Sequence, residues 1–305
     1  MLDSVWFWIG FHLFICAMIY VDLKVFHRDT TRMNLKSISL CCFFWVGIAL
    51  VFNGLIWFFL GLEPASTFLT AYLLESSLSI DNLFLFLVVF SFCHIKPIYQ
   101  HRVLYLGILW ALVCRCLFIL VGISILQQFE WMYFIFGAFL CFSACCFFFQ
   151  KGTKEDLSQT WLVKLAERIF RIEHGDHQGK FFIKKKGKYY ATTLFLALFL
   201  IEISDIIFAV DSVPAVLAIT SNLFIAYTSN VFAVLGLRSF YFLLARLKEQ
   251  FSHLKTAIAL ILFFVGAKLI LLPFLKIPSS WTLLFIFLAI SISIFISFRP
   301  HKKDP

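Results

Sequence analysis

Apolar residues along this chain gather into nine windows, over about 3–22, 39–60, 66–92, 103–126, 131–149, 192–219, 223–245, 256–275 and 281–298. Windows of roughly 17 to 25 mainly apolar residues are long enough to cross a hydrocarbon layer about 30 Å thick as helices. The pattern predicts an all-α polytopic membrane protein with about nine transmembrane helices. One long polar interval, from about 150 to 190, separates the fifth window from the sixth and carries charge runs such as Lys184-Lys185-Lys186. Within it, Trp161, Leu162, Leu165 and Ile169 lie opposite Lys164, Arg168 and Arg171, a spacing that predicts a short amphipathic helix on the membrane surface.

Two of the apolar windows are interrupted in the same way. Glu75-Ser-Ser-Leu-Ser-Ile-Asp81-Asn82 and Asp205-Ile-Ile-Phe-Ala-Val-Asp211-Ser212 each place two carboxylates six residues apart inside an otherwise apolar stretch. Superposing Glu75 on Asp205 brings Asp81 onto Asp211 and Asn82 onto Ser212. Further along, Arg115 and Arg238 stand eight residues after Gly107 and Asn230, and Phe136-Gly137-Ala138 matches Val265-Gly266-Ala267. The chain therefore reads as two three-helix repeats. Three is odd, so the second repeat must enter the membrane from the opposite side, the inverted arrangement of many secondary transporters. The expected organisation is two N-terminal helices over 1–60, a first repeat over 61–149, a basic linker over 150–190, a second repeat over 191–275, and a last helix with its tail over 276–305.

Composition agrees with this class: of 305 residues, 62% are hydrophobic and 14% charged, too apolar for a soluble protein of this length. The formal charge of +9 is explained by topology. Taken alternately, the connections on one side hold 22 Lys and Arg residues and those on the other side hold only Lys276, while Arg115, Arg238 and Lys268 lie within spans, accounting for all 26. The positive-inside rule then predicts a multi-pass protein of the inner cell membrane with the N-terminus outside and the C-terminus cytoplasmic. Basic residues so placed meet anionic head groups, and nothing calls for a nucleic-acid partner. The first window lacks a basic leader and a small-residue cleavage site, so it reads as a retained span.

A carboxylate at the centre of a spanning helix costs about 2.5 to 3.5 kcal/mol on insertion scales, which makes an intramembrane acid a functional candidate. Five occur here: Glu75, Asp81, Glu202, Asp205 and Asp211. With Asn82 and Ser212 they form the candidate metal-binding set; Arg115, Arg238 and Lys268 are the candidate counter-charges. Glu202 and Asp205 share a helix face, whereas Glu75 and Asp81 point about 120° apart on an unbroken helix. That offset, with Pro214 freeing the carbonyl of Val210, predicts broken helices that lend carbonyls to a cation. Carboxylate, amide and hydroxyl ligands suit hard divalent cations such as Mn²⁺, Ca²⁺ or Mg²⁺ better than Zn²⁺ or Cu⁺. Five acids against three bases leave −2, a balance that one divalent cation or two protons would neutralise. The cation is read as substrate, with no tightly bound cofactor. Lys268, which has no counterpart in the first repeat, is expected to fill the site when the metal leaves.

The nine cysteines contain no Cys-x-x-Cys pair and lie mostly in spans. Small apolar packing is their expected use, although Cys141, Cys145 and Cys146 have a spacing that could also hold a soft metal. His174 and His177 in the linker are open to either a solvated loop or a metal sensor. No nucleotide-binding Gly-x-x-x-x-Gly-Lys-Ser/Thr element is present. Outward movement of a divalent cation against about 100 mV requires about 4.6 kcal/mol, so proton antiport is the natural coupling for export.

The segments Glu75–Asn82 and Glu202-Ile-Ser-Asp-Ile-Ile-Phe-Ala-Val-Asp-Ser-Val-Pro214, with Ser229-Asn-Val-Phe-Ala-Val-Leu-Gly-Leu-Arg238-Ser-Phe-Tyr, closely resemble the signature segments of the TerC family. The resemblance extends from about Asp22 to Lys268. Ala71 and Ser76 stand where the family commonly has Gly and Lys, and Leu194 where Pro often follows the Thr pair. The resemblance implies a membrane protein of a group named for tellurite resistance, with members linked to manganese efflux, and so favours Mn²⁺ among the hard cations. Two other classes remain open: a membrane scaffold or metal-handover protein without net transport, and an intramembrane aspartyl hydrolase.

Overall fold

The computed structural model describes residues 5–26, 35–129, 131–149, 161–173, 175, 177–185, 187–247, 254–272, 274 and 278–297. Nine of its helices have 18 residues or more: α1 (Val5–Phe26), α2 (Leu35–Leu60), α3 (Leu62–Phe92), α4 (Pro97–Gln128), α5 (Met132–Phe149), α7 (Thr193–Leu217), α8 (Leu223–Leu247), α9 (Leu254–Leu271) and α10 (Ser279–Ser297). Between α5 and α7 lie a short helix, α6 (Trp161–Ile169), and strands β1 (Ile172–Glu173), β2 (Phe182–Lys185) and β3 (Lys188–Thr192). Each long helix coincides with one apolar window. Four of them, Leu35–Leu60, Pro97–Gln128, Thr193–Leu217 and Leu223–Arg246, are long and apolar enough to cross a membrane; Trp8–Val21, Met132–Cys145, Thr256–Leu271 and Ser280–Ser293 are shorter apolar segments. Helix α3 also has a stretch of comparable apolarity, over 73–90, despite Glu75 and Asp81. Large side chains such as Trp6, Phe43, Phe58, Phe142 and Phe295 cover the outside of the bundle, a surface suited to lipid rather than water.

The expected helix breaks are not present. Helix α3 runs without interruption from Leu62 to Phe92, and α7 continues through Pro214 to Leu217. The reason is local. No Gly or Pro follows Pro64 in α3, and Pro214 lies so close to the end of α7 that it removes only the bond to the carbonyl of Val210. Helix α8 begins cleanly because the Asn222 side chain accepts hydrogen bonds from the backbone N–H groups of Phe224, at 3.0 Å, and Ile225.

The polar interval departs most from expectation. Its strands form a sheet in the order β1-β3-β2, with β1 parallel and β2 antiparallel to β3, and Ala191 pairs with both Ile172 and Phe182. The chain is thus almost, but not wholly, α-helical. Helix α6 is amphipathic as expected, but it buries Val163 and Ala166 in the bundle and leaves Ile169 exposed, so its apolar face meets protein. This unit is tied to α4 and α7. Arg102 Nη1 donates to the carbonyl of Gly179 at 3.0 Å, and Thr192, the N-cap of α7, donates to the carbonyl of Lys180 at 2.7 Å. Gly179 is required there: its φ is +76°, and a Cβ would lie 2.7 Å from the Tyr99 ring. An exposed pair, Lys185 Nζ to Glu173 Oε1 at 2.7 Å, crosses the sheet and raises the lysine pKa by hydrogen bonding; such pairs add little stability.

Three helix pairs make the most extensive contacts: α5 with α9, α3 with α8, and α4 with α7. Exchanging α3–α5 for α7–α9 turns the second pair into the third and the first into itself. At the α5–α9 crossing a Cβ on Gly137 would lie 2.8 Å from the carbonyl oxygen of Gly266, and one on Gly266 would lie 2.9 Å from that of Gly137. Only glycine permits backbones this close.

The apolar interior is divided. One cluster joins Leu74 and Leu78 of α3, Ile119 and Ile123 of α4, and Val213, Val216 and Leu217 of α7 with Ala218 and Ile219 just beyond it. Another joins Leu83, Phe86 and Phe90 of α3, Val103 to Ala111 of α4, and Leu194 to Ile201 of α7. Arg115 on α4 and Asp205 on α7 lie between these two layers in the chain, so the charged groups occupy the boundary between them.

Candidate metal centre

Arg115 is 1% exposed, deep among apolar side chains, where an uncompensated guanidinium would be very unfavourable. Two carboxylates compensate it. Its Nη1 pairs with Oε1 of Glu75, which is fully buried on α3, and its Nη2 lies 3.6 Å from Oδ1 of Asp205 on α7. The planar fork of arginine suits two partners on different helices. The Glu75 pair lies within α3–α5, whereas the Asp205 contact crosses to α7. The reason is packing: α4 lies against α7, which brings Asp205 within reach.

The helices that carry these acids hold further oxygen atoms without partners. Glu75 Oε2, Asp205 Oδ2, Glu202 Oε2, Ser79 Oγ and Ser212 Oγ are all buried without a hydrogen-bond partner among the described residues. Buried polar groups normally have partners, and each exception needs an explanation. Glu202, Asp205 and Arg238 line one enclosed cavity of about 10 Å³, room for about one water, together with Gly107, Phe86 and Leu237. A Cβ on Gly107 would lie 3.4 Å from Glu202 Oε1. Arg238 and Asn82 are buried, on α8 and α3 respectively. The side chains of Asp81 and Asp211 lie outside the described residues. Among those that are described, no three His, Cys, Asp or Glu side chains converge with metal-ligand spacing.

Lys268 stands apart from the Glu75–Arg115–Asp205 group. Its Nζ donates to Thr282 Oγ1 of α10 at 3.1 Å, and both residues are buried. The amine is therefore held at the α9–α10 contact, and among the described residues its hydrogen bond goes to Thr282 and not to an acid. Thr282→Val should destabilise the protein by about 1–3 kcal/mol by leaving a buried donor unsatisfied. Unfolding of the variant in detergent would measure this, and adding Lys268→Met should recover most of the loss.

Asn230 is a residue that spacing along the chain marked only as the counterpart of Gly107. It is 1% exposed on α8, and neither side-chain amide atom has a partner among the described residues. The signal was present in the polar run Thr228-Ser229-Asn230 within an apolar helix. Cys141 packs against Gly266 and approaches the carbonyl of Phe263, a packing role; the side chain of Cys146 is outside the described residues. His177 faces a cavity of about 510 Å³ with Cys93 and His94, and His174 is outside the described residues.

A helical multi-pass membrane protein with an arginine clamped between intramembrane carboxylates is the class these features define. The profile of the integral membrane protein TerC family matches residues 60–304, and the chain belongs to that family. It is similar to the uncharacterized membrane protein STKORF319 of Myxococcus xanthus, with 41% identity covering 98% of this chain and 93% of the relative. It is also similar to proteins named putative membrane-bound redox modulator Alx: that of Salmonella typhi at 38% identity, covering 97% and 95%, and that of Escherichia coli K12 at 37%, covering 97% and 96%. No solved structure matches the chain.

Proposed function

We propose that this protein transports a divalent metal cation, Mn²⁺ in preference to Ca²⁺ or Mg²⁺, with the intramembrane acids as its binding site and protons as counter-substrate. The observation that carries this reading is the set of partnerless buried oxygens around the Glu75–Arg115–Asp205 group. A purely structural ion pair has no use for them. A cation has, and a carboxylate that can release its metal can take up a proton instead.

The helix pairing supports an inverted repeat. Exchange of α3–α5 with α7–α9 preserves the three main contacts, and the Gly137–Gly266 crossing lies where such an exchange maps a contact onto itself. On this reading all nine long helices span the inner membrane, with the N-terminus outside, and Arg115 joins the two units at their shared boundary. Loading of a cation would compete with Arg115 for Glu75 and Asp205, which couples occupancy to the way the units are held together. The redox role in the relatives' names is not needed here: the eight described cysteines are free thiols, and the acidic centre offers the stronger chemistry.

The test is flux in proteoliposomes containing the purified chain, with Mn²⁺, Ca²⁺, Mg²⁺ and Zn²⁺ compared with and without a pH gradient. Mn²⁺ should move fastest, be accelerated by the gradient, and slow at least tenfold in Asp205→Asn. Metal that binds the wild type but never crosses would favour a handover protein. Cleavage of a membrane peptide that depends on Asp81 and Asp211 would favour the hydrolase.

A further inference from the structure

A second polar cavity, of about 340 Å³, lies between the first turn of α3 and the end of α7. We propose that it is an outer vestibule that binds a hydrated divalent cation before or after passage through the acidic centre; this role rests on the transport reading, whereas binding there is separately measurable.

Glu63, the acidic residue of the first turn of α3, lines the cavity, as do the hydroxyl-bearing residues Thr67, Tyr133, Thr220 and Ser221. Leu217, Ala218 and Ile219 bring the C-terminal end of α7 to the same space. A helix C-terminus carries about half a negative charge on its last carbonyls. Carboxylate, hydroxyls and carbonyls are hard oxygen donors, and no basic side chain among the described residues lines the cavity. The space is large enough for a cation that keeps its first hydration shell.

Position links the cavity to the centre. Helices α3 and α7 are the two that carry Glu75 and Asp205. Glu63 precedes Glu75 by twelve residues, a rise of about 18 Å along the helix. Between them lies the apolar layer of Ala71, Leu74, Val213, Val216 and Leu217, all nearly or fully buried. A cation in the vestibule is therefore separated from the centre by a dry barrier, and a negative mouth raises its local concentration there.

The test uses the full chain in proteoliposomes carrying Ser221→Cys, with Thr220→Cys as a second reporter, and a membrane-impermeant maleimide added from the side of the N-terminus. Labelling is measured relative to protein without the added cysteine. The reporter should be reached from that side, and millimolar Mn²⁺ should slow its labelling several-fold, whereas Na⁺ at equal ionic strength should not. Glu63→Gln should remove the protection and raise the half-saturating Mn²⁺ for flux from that side about three- to tenfold, leaving the rate at saturation unchanged. Labelling from the opposite side only, or protection that persists in Glu63→Gln, would overturn the vestibule. Absence of flux for any metal, with protection still dependent on Glu63, would retain the binding site and reject the transport reading.

Discussion

Arg115→Met is expected to destabilise the folded protein by about 3–5 kcal/mol, the usual consequence of leaving a buried charge without its partner. The residue is 1% exposed, and its guanidinium joins Glu75 on α3 to Asp205 on α7. Removing it leaves two buried carboxylates, one on α3 and one on α7, without a counter-charge. Both stability and metal movement should be lost. The triple variant Arg115→Met/Glu75→Gln/Asp205→Asn separates the two effects, because neutral groups of similar shape remove the penalty. Its unfolding midpoint in detergent should return most of the way to the wild type, while flux stays absent. Recovery of flux in the triple variant would mean that these carboxylates are not ligands. Arg115→Lys should lie between the extremes, since an ammonium keeps the charge but loses the fork that reaches two helices.

Gly137→Leu carries the other large effect. Any Cβ at Gly137 would lie 2.8 Å from the carbonyl oxygen of Gly266 and 3.1 Å from the backbone nitrogen of Ile270. Those obstacles are main-chain atoms and cannot rotate away, so α5 and α9 must move apart. Overpacking of this kind costs about 1–3 kcal/mol, and a leucine across a glycine contact belongs at the upper end or beyond. Transport is expected to fall more than stability alone would explain, because the crossing joins the two three-helix units directly. Gly137→Ala and Gly266→Ala should each be milder. Combined, they should cost less than their sum, since once one alanine has parted the helices the other finds room. Thermal unfolding and flux measured on the same preparations would check all four variants.

The helices were legible because apolar windows and long helices answer to the same length requirement; their observed ends fall within a few residues of the expected ones. The buried acids were legible because a carboxylate within an apolar run has few explanations. Their partners were less so. Spacing along one chain suggests contacts within a unit, whereas the Asp205–Arg115 contact depends on how α7 packs on α4. The same applies to Lys268, whose partner Thr282 is a common residue with no motif around it. The linker sheet was hidden by size: strands of two to five residues, held by pairings such as Ile172 with Ala191, leave no periodic signal. The helix breaks were inferred from the angular offset of Glu75 and Asp81, but α3 is continuous through both, and Glu75 finds Arg115 without a break.

The two apolar layers that flank the charged centre have an electrical consequence. An energised membrane pulls each positive charge inward by about 2.3 kcal/mol per 100 mV, and a continuous wet path through a protein would short-circuit it. Leu74, Leu217 and their neighbours on one side, and Phe86, Leu104 and Leu237 on the other, act as paired insulators. On the transport reading, such insulation would let the membrane keep its voltage while the centre stays closed.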